Sequence, residues 1–261
     1  MADLDAAIGY VVAHGDPVDR ARLSWLRSGI APPSEVLDKV ELGQRPDGGW
    51  PAFWAGNVAS VDATCFRLAE IDDLGGLSRP AARKALRWLA RRQRPDGTWQ
   101  EDESLAGSAP PWAEPGSEEA GLYLTTNAAF WLTVGDPDKE HAATVARAVE
   151  AFRASLRPDG TWPSFLVTGW LGAALLYHLG WFYEAAQIQM TLADRVPQMS
   201  AADCAWMICA LRRVGISSED HLIGAAGQRL SETQRTDGGW ESDDGEAFNV
   251  HTTLTAIRAL K

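Results

Sequence analysis

Apolar residues recur every three or four positions along this chain, run after run, with short polar turns between the runs. In 79–92 the residues Ala82, Ala85, Leu86 and Leu89 fall at helical spacing, and basic residues close the last turn. The same reading predicts about twelve helices: 4–14, 17–28, 34–44, 60–73, 79–92, 119–134, 138–155, 165–179, 181–194, 200–214, 219–233 and 247–260. Five of the even-numbered ones, 60–73, 119–134, 165–179, 200–214 and 247–260, are rich in Ala, Leu, Trp and Thr and apolar nearly all round. In contrast, 79–92, 138–155 and 219–233 carry polar faces. A helix without a polar face has to be enclosed. The alternation therefore predicts an all-α fold, an (α/α)6 barrel with the even helices inside around an apolar central cavity, in a single domain over 1–261.

A phrase repeated four times supports hairpin repeats. It reads Gln44-Arg-Pro-Asp-Gly-Gly-Trp50, Gln93-Arg-Pro-Asp-Gly-Thr-Trp99, Leu156-Arg-Pro-Asp-Gly-Thr-Trp162 and Gln234-Arg-Thr-Asp-Gly-Gly-Trp240. Trp-to-Trp intervals of 49, 63 and 78 residues suit helix pairs with one signature lost between the third and fourth copies. Each copy follows an amphipathic run, so it ends a helix. Pro fixes φ, Gly supplies the left-handed conformation, and the Trp after the turn folds back between helices. These residues read as structural staples.

Composition narrows the function classes. The chain has 261 residues, 46% of them hydrophobic, which is enough for a substantial core. No stretch approaches the roughly 20 apolar residues of a membrane span, and Met-Ala-Asp-Leu-Asp lacks a basic leader start. Cys65, Cys204 and Cys209 make no disulfide framework and fit a reducing compartment, so a cytoplasmic location is expected. The net charge of -11 argues against nucleic acid as a partner. Part of the acidity lies in Glu101, Asp102 and Glu103, and in Asp243, Asp244 and Glu246, just after a repeat Trp.

The repeated Gln-x-x-Asp-Gly-x-Trp phrase, followed by Ala/Thr-rich inner helices, resembles the QW motifs of squalene–hopene and oxidosqualene cyclases, within the prenyltransferase and squalene-cyclase repeat superfamily. The resemblance spans about 40–261, with Gln missing from the third motif. Among its members, class II terpene cyclases protonate an alkene or epoxide with an Asp at the start of an inner helix. Here Ser60-Val-Asp-Ala-Thr-Cys65 keeps that Asp, as Asp62, and the following Thr, but not the full acidic triplet. The resemblance thus implies an enzyme catalysing proton-initiated cyclisation of an isoprenoid or prenylated substrate, with no cofactor. A single barrel implies a chain shorter than a triterpene, of ~15–20 carbons, and leaves room for a partner subunit or a homo-oligomer.

Aligning the inner helices on their first turns places Asp62 level with Asn127, Gly169, Asp203 and His251, with Asp19 as a sixth member. Such residues also serve as helix N-caps. The catalytic expectation is Asp62 as acid, Asp203 as a second carboxylate holding its proton, and His251 orienting or reloading it. Counting inward by three, four and seven brings Cys65, Phe66, Phe130, Trp131, Trp170, Tyr177, Trp206 and Met207 toward the axis, which with Asn127 form the expected substrate wall. Aromatic faces stabilise a cation by roughly 0.5–2 kcal/mol each without offering a base. Ordinary core packing is the competing reading.

Two alternatives follow from the same superfamily. Protein prenyltransferase β subunits hold zinc with Asp, Cys and His, approximated here by Asp203, Cys204 and His251, although neighbouring residues on a helix diverge by about 100°. The acidic loops would instead hold Mg²⁺ if the substrate carries a diphosphate. A barrel in which Asp62 only caps its helix would be a non-catalytic isoprenoid carrier or partner subunit. The Pro-rich stretch 104–118, carrying Trp112, is placed as a lid or loop.

Overall fold

The computed structural model describes residues 2–261. Twelve α-helices follow one another: α1 Leu4–His14, α2 Pro17–Ser28, α3 Ser34–Glu41, α4 Val61–Asp72, α5 Pro80–Arg92, α6 Glu118–Val134, α7 Ala142–Ser155, α8 Leu166–His178, α9 Phe182–Ala193, α10 Ala201–Arg213, α11 His221–Thr233 and α12 Asn249–Leu260. The even-numbered helices pack side by side in the order α4, α6, α8, α10, α12, α2, and the odd-numbered ones back onto them, giving the expected α/α barrel. Between α2 and α4 the ring closes through side chains. Trp25 of α2 lies so close against Gly75 that a Cβ there would fall 2.3 Å from its ring, and Arg22 pairs with Asp73.

The repeated phrase holds the outer ring together. In three copies the Gln amide donates both to the glycine carbonyl of its own turn and to a carbonyl near the start of the next outer helix. Gln44 reaches Gly48 O and Ala81 O (both 2.9 Å), Gln93 reaches Gly97 O (3.0 Å) and Thr144 O (2.9 Å), and Gln234 reaches Gly238 O (2.9 Å) and Asp3 O (2.8 Å). Asp3 is the N-cap of α1, so the last copy clasps the first helix and closes the circle. The glycine of each turn is in the left-handed region, and at Gly238 a Cβ would fall 2.4 Å from the Ala6 backbone. Only glycine serves both needs.

The Trp then sets the inner helix. Backbone N–H groups of Trp50, Trp99 and Trp240 donate to Thr64, Thr125 and Thr253 Oγ1, each at 3.0 Å. Their indole N–H groups donate to the carbonyls of Leu42, Leu89 and Leu230 at the preceding outer helix's end. These three rings are fully buried. In the third copy, where Leu156 replaces Gln, Trp162 turns to Phe165 O (2.7 Å) instead.

Two local expectations differ. The helix expected over 34–44 ends at Glu41, because Gln44 is taken by its turn. An antiparallel hairpin, β1 Trp50–Ala52 and β2 Ala55–Ser60, follows the first repeat turn where no strand is expected, and its tip carries Phe53 to Phe66.

Gln234→Ala removes both clasp bonds and the acceptor for Asp3 N (2.7 Å), and should lower unfolding stability by about 1–3 kcal/mol in urea denaturation. Gly238→Ala should cost at least as much, through collision with α1 and a φ of +89°.

Candidate active site

At the N-terminus of α4, Ser60 caps the helix by accepting from Ala63 N (3.0 Å). The free N–H groups before it meet a carboxylate from another repeat. Glu101, 4% exposed, accepts from Ser60 Oγ (2.7 Å), Asp62 N (2.9 Å) and Val61 N (2.9 Å). A helix N-terminus favours an anion there. Burial outweighs these donors and, with the nearby Asp62 carboxyl, pushes Glu101 from 4.5 up to about 7.

Asp62 projects from this turn into the mouth. Its Oδ1 accepts from Tyr123 Oη (2.9 Å) and its Oδ2 from Trp112 Nε1 (3.3 Å). Asn127 Nδ2 donates to the same tyrosine oxygen (3.0 Å), so the tyrosine proton is directed onto Asp62. Burial raises the Asp62 carboxyl above its ordinary value, while the tyrosine and indole donors moderate the rise. Trp112 comes from the segment expected as a lid. Two short 3-10 turns, Glu103–Leu105 and Pro111–Ala113, fold that segment over the mouth and leave the indole half-exposed above Asp62.

No hydrogen bond joins Asp62 to Asp203 or His251 among the described residues. Asp203 N bonds the Ser200 cap as Ala63 N bonds Ser60, so Asp203 is the counterpart of Ala63, one residue and about 100° away from the Asp62 direction. Its carboxyl is pushed up by burial and then by Asp243 and Asp244. His251 instead stacks beside Phe66, with centroids 6.3 Å apart, and shares a 3.2 Å contact with Arg22 Nη2. Burial, then Arg22, lowers it to about 4, so its ring is neutral.

Asn127 also leaves the expected level. Thr64, Thr125 and Thr253 occupy one register, which makes Tyr123 the counterpart of Asp62 and puts Asn127 one turn deeper. Gly169 faces outward onto the Trp162 ring, where a Cβ would fall 2.0 Å away. Asp19 sits in the α2 capping box with Asp16 and reaches Arg22 at 3.4 Å.

The expected substrate wall divides. Phe66 is half-exposed one turn below Asp62 and makes an edge contact with Phe53 at 5.1 Å. Trp170 and Trp206 meet edge to face at 5.7 Å from neighbouring inner helices, and Trp206 keeps some exposed surface. Phe130 and Trp131 pack against each other at 5.5 Å, nearly buried. Cys65 and Met207 are fully buried, and burial raises the Cys65 thiol far above its usual value. Tyr177 turns from the lumen to Phe182 of outer helix α9 at 5.2 Å.

Charges cross the opposite end of the lumen. Asp72 and Asp73, at the end of α4, receive Arg258 from α12 (both 2.6 Å), Arg213 from α10 (2.8 Å) and Arg22 from α2. Burial would raise Asp73, but Arg22 and Arg258 hold it below its usual value.

Neither metal alternative finds its ligands assembled. Cys204 is fully buried with Arg229 of α11 nearby, so it points to the outer ring and away from His251. Glu101 is committed to the α4 terminus, and Asp102 to Ser104 and Arg92, so the first acidic run is not a cation cradle. Among the described residues no three His, Cys, Asp or Glu side chains are grouped to hold a metal ion.

Sequence reasoning missed Tyr123, Glu101 as a helix partner, and the Arg22–Asp73 pair. Tyr123 was legible: two residues before the repeated Thr stand Asp62, Tyr123 and His251. The long insertion between Trp99 and Thr125 hid the register.

Comparison with known proteins agrees with this architecture. No curated protein matches the sequence. Among solved structures, a protein from Actinoplanes superposes with a TM-score of 0.62 at 21% identity, over 94% of this chain and 87% of that one. The type II terpene cyclase MstE from Scytonema superposes with a TM-score of 0.61 at 16% identity, over 98% of this chain and 96% of that one. A variant of MstE holding its substrate, geranylgeranyl dihydroxybenzoate, gives 0.59 at 17% identity, over 98% and 95%. No helix among the described residues is long and apolar enough to cross a membrane. Residues 31–193, more than half of the sequence, match the squalene–hopene cyclase C-terminal domain, and the chain belongs to that family.

Proposed function

We propose that this protein is a class II-type terpene cyclase in which Asp62 protonates an alkene of a linear isoprenoid or prenylated substrate. One observation carries the reading. A carboxyl raised by burial stands at the mouth of an aromatic-walled barrel, with Tyr123 on one oxygen and an exposed indole on the other. Oδ1 is tied inside the protein, so Oδ2 is the oxygen that carries the proton, and Trp112 covers it until substrate takes its place. Burial keeps the proton on Asp62 until the alkene arrives, and Glu101 is the carboxylate beside it, itself raised by burial and by Asp62. The half-exposed Phe66 face, one turn below, then meets the new cation. The geranylgeranyl aryl substrate held by the MstE variant supports a prenylated ligand, in the same class as the isoprenoid expected here.

Asp62→Asn keeps the shape and removes the proton. Incubated with linear prenyl substrates and read by mass spectrometry and NMR, it should lose cyclised product by about 10²–10⁴-fold. Undiminished product would dismiss Asp62 as the acid.

Activity requires protonated Asp62, so it is present below the Asp62 pKa and lost as pH rises through it. Tyr123→Phe removes a donor that favours the ionised form, which raises that pKa further. The alkaline limb of the kcat profile should therefore move to higher pH while the plateau falls, because a less acidic Asp62 protonates an alkene more slowly.

Glu101 also leaves a mark on stability. Between 4.5 and about 7 the folded carboxyl holds more proton than the unfolded one, so its contribution is full below 4.5 and lost as pH rises through about 7. Glu101→Gln should flatten that part of the pH dependence of urea midpoints.

A further inference from the structure

The last turns of α10 and α12 carry Arg212, Arg213 and Arg258, and Lys261 follows α12. Cations are favoured where helix carbonyls end, so one such residue on each helix needs no further reason. Here all four wall a single cleft of about 280 Å³ on the face opposite the mouth, with Leu26 and Cys209 and with no acidic side chain among its lining residues. Arg213 and Arg258 also line a second cleft of about 260 Å³, where Asp72 is the one lining acid. Asp72 accepts from Arg213 (2.8 Å) and Arg258 (2.6 Å), and Asp73 is shared by Arg258 (2.6 Å) and Arg22. With Arg22 and Asp73 offsetting each other, and with Asp72 and the Lys261 α-carboxylate set against the four cations of the cleft, two positive charges remain. In a chain of 24 Lys and Arg against 35 Asp and Glu, that local surplus runs against the balance of the whole.

We infer that this cleft is an anion site that takes a phosphate or diphosphate group from the solvent side. Arg212 uses Nη1 on Ala259 O (3.0 Å) and Arg213 uses Nη2 on Asp72, which leaves Nε and the second Nη of each without a protein acceptor among the described residues. Lys261 rests on the backbone carbonyls of Leu26 and Arg27 and meets no side-chain carboxylate among those residues. Asp72 is 8% exposed and Arg213 39%, so the carboxylate anchors the guanidinium from the buried side and leaves its outer part to solvent. The forks are thus held in place before an anion arrives. Guanidinium forks fit phosphate oxygens two at a time, and a dianion matches the surplus of two charges. The overall charge of -11 does not prevent this, because charges beyond about 8 Å are screened at physiological ionic strength. It does oppose a nucleic acid or an anionic membrane, either of which would press against the whole acidic surface. The cleft lies at the opposite end of the barrel from Asp62 and is independent of the cyclase reading.

The test is calorimetric titration with inorganic phosphate, inorganic diphosphate and geranyl diphosphate at fixed ionic strength, with chloride as the comparison and thermal unfolding read in parallel. The expected result is a single saturable site for diphosphate, tighter than that for phosphate, and a rise in Tm that chloride does not give. Arg212→Gln combined with Lys261→Gln, shown folded by circular dichroism, should weaken diphosphate by at least about tenfold. Arg87→Gln, an equal loss of charge on the exposed face of α5, should leave it unchanged. Both source arms support the site: equal affinity for inorganic and geranyl diphosphate assigns it to the free anion, and tighter binding of the ester assigns it to the head of a prenyl diphosphate. No saturable binding of either inorganic anion, binding that the double variant leaves intact, or an equal loss in Arg87→Gln overturns the inference. None of these readouts uses cyclised product, so the Asp62 reading stands or falls separately.

Discussion

The register of the barrel rests on a backbone hydrogen bond, Trp N–H to Thr Oγ1, made in three repeats at 3.0 Å. The same threonine donates to the carbonyl four residues back, Thr64 to Ser60, Thr125 to Gly121 and Thr253 to Asn249, so it ties the repeat turn to the first turn of an inner helix. The Gln amide ties that turn to the next outer helix. Three repeats are thus fixed inward by buried bonds and sideways by part-buried or exposed ones, and a misplaced helix would leave the buried groups unpaired. Where Leu156 replaces the Gln, Trp162 uses a different acceptor and the clasp is absent. The clasp joins α3 to α5, α5 to α7 and α11 to α1, and the other three links between outer helices do without it.

That register makes the two ends of the lumen unlike. Helix N-termini converge at the mouth, where their unpaired N–H groups favour carboxylates, and Glu101 occupies such a place on α4. Helix C-termini converge at the other end, where arginines are favoured and Arg213 and Arg258 are found. The carboxyls at one end and the arginine network at the other follow from the parallel inner helices. The polarity of the cavity is a property of the architecture before it is a property of any single residue.

A raised carboxyl is useful only if it gives its proton away in one direction. Around Asp62 the directions are settled by which atoms are already used. Asn127 directs the tyrosine proton to Oδ1, and Glu101 is turned toward the helix backbone with its own three donors. The remaining oxygen meets Trp112, from a segment anchored by buried Leu105 and Ala113 and by Gln100 on Gly116 and Ser117.

Much of this was legible in the chain. Helical period, apolar-all-round helices and the repeated phrase determined the twelve helices and their alternation, because periodicity and turn chemistry are local. Asp62 was legible from its local sequence. Its company was not. Asp203 sits one residue out of register behind the Ser200 cap, His251 is drawn to Arg22 and Phe66, and Glu101 and Tyr123 come from a neighbouring repeat across an insertion of irregular length. A rotation of about 100° per residue turns a one-place error of alignment into a different neighbour. The sequence by itself determined the barrel and put the Asp62 carboxyl at the start of an inner helix. Which side chains surround that carboxyl was decided only when helices distant in the chain were packed into a ring.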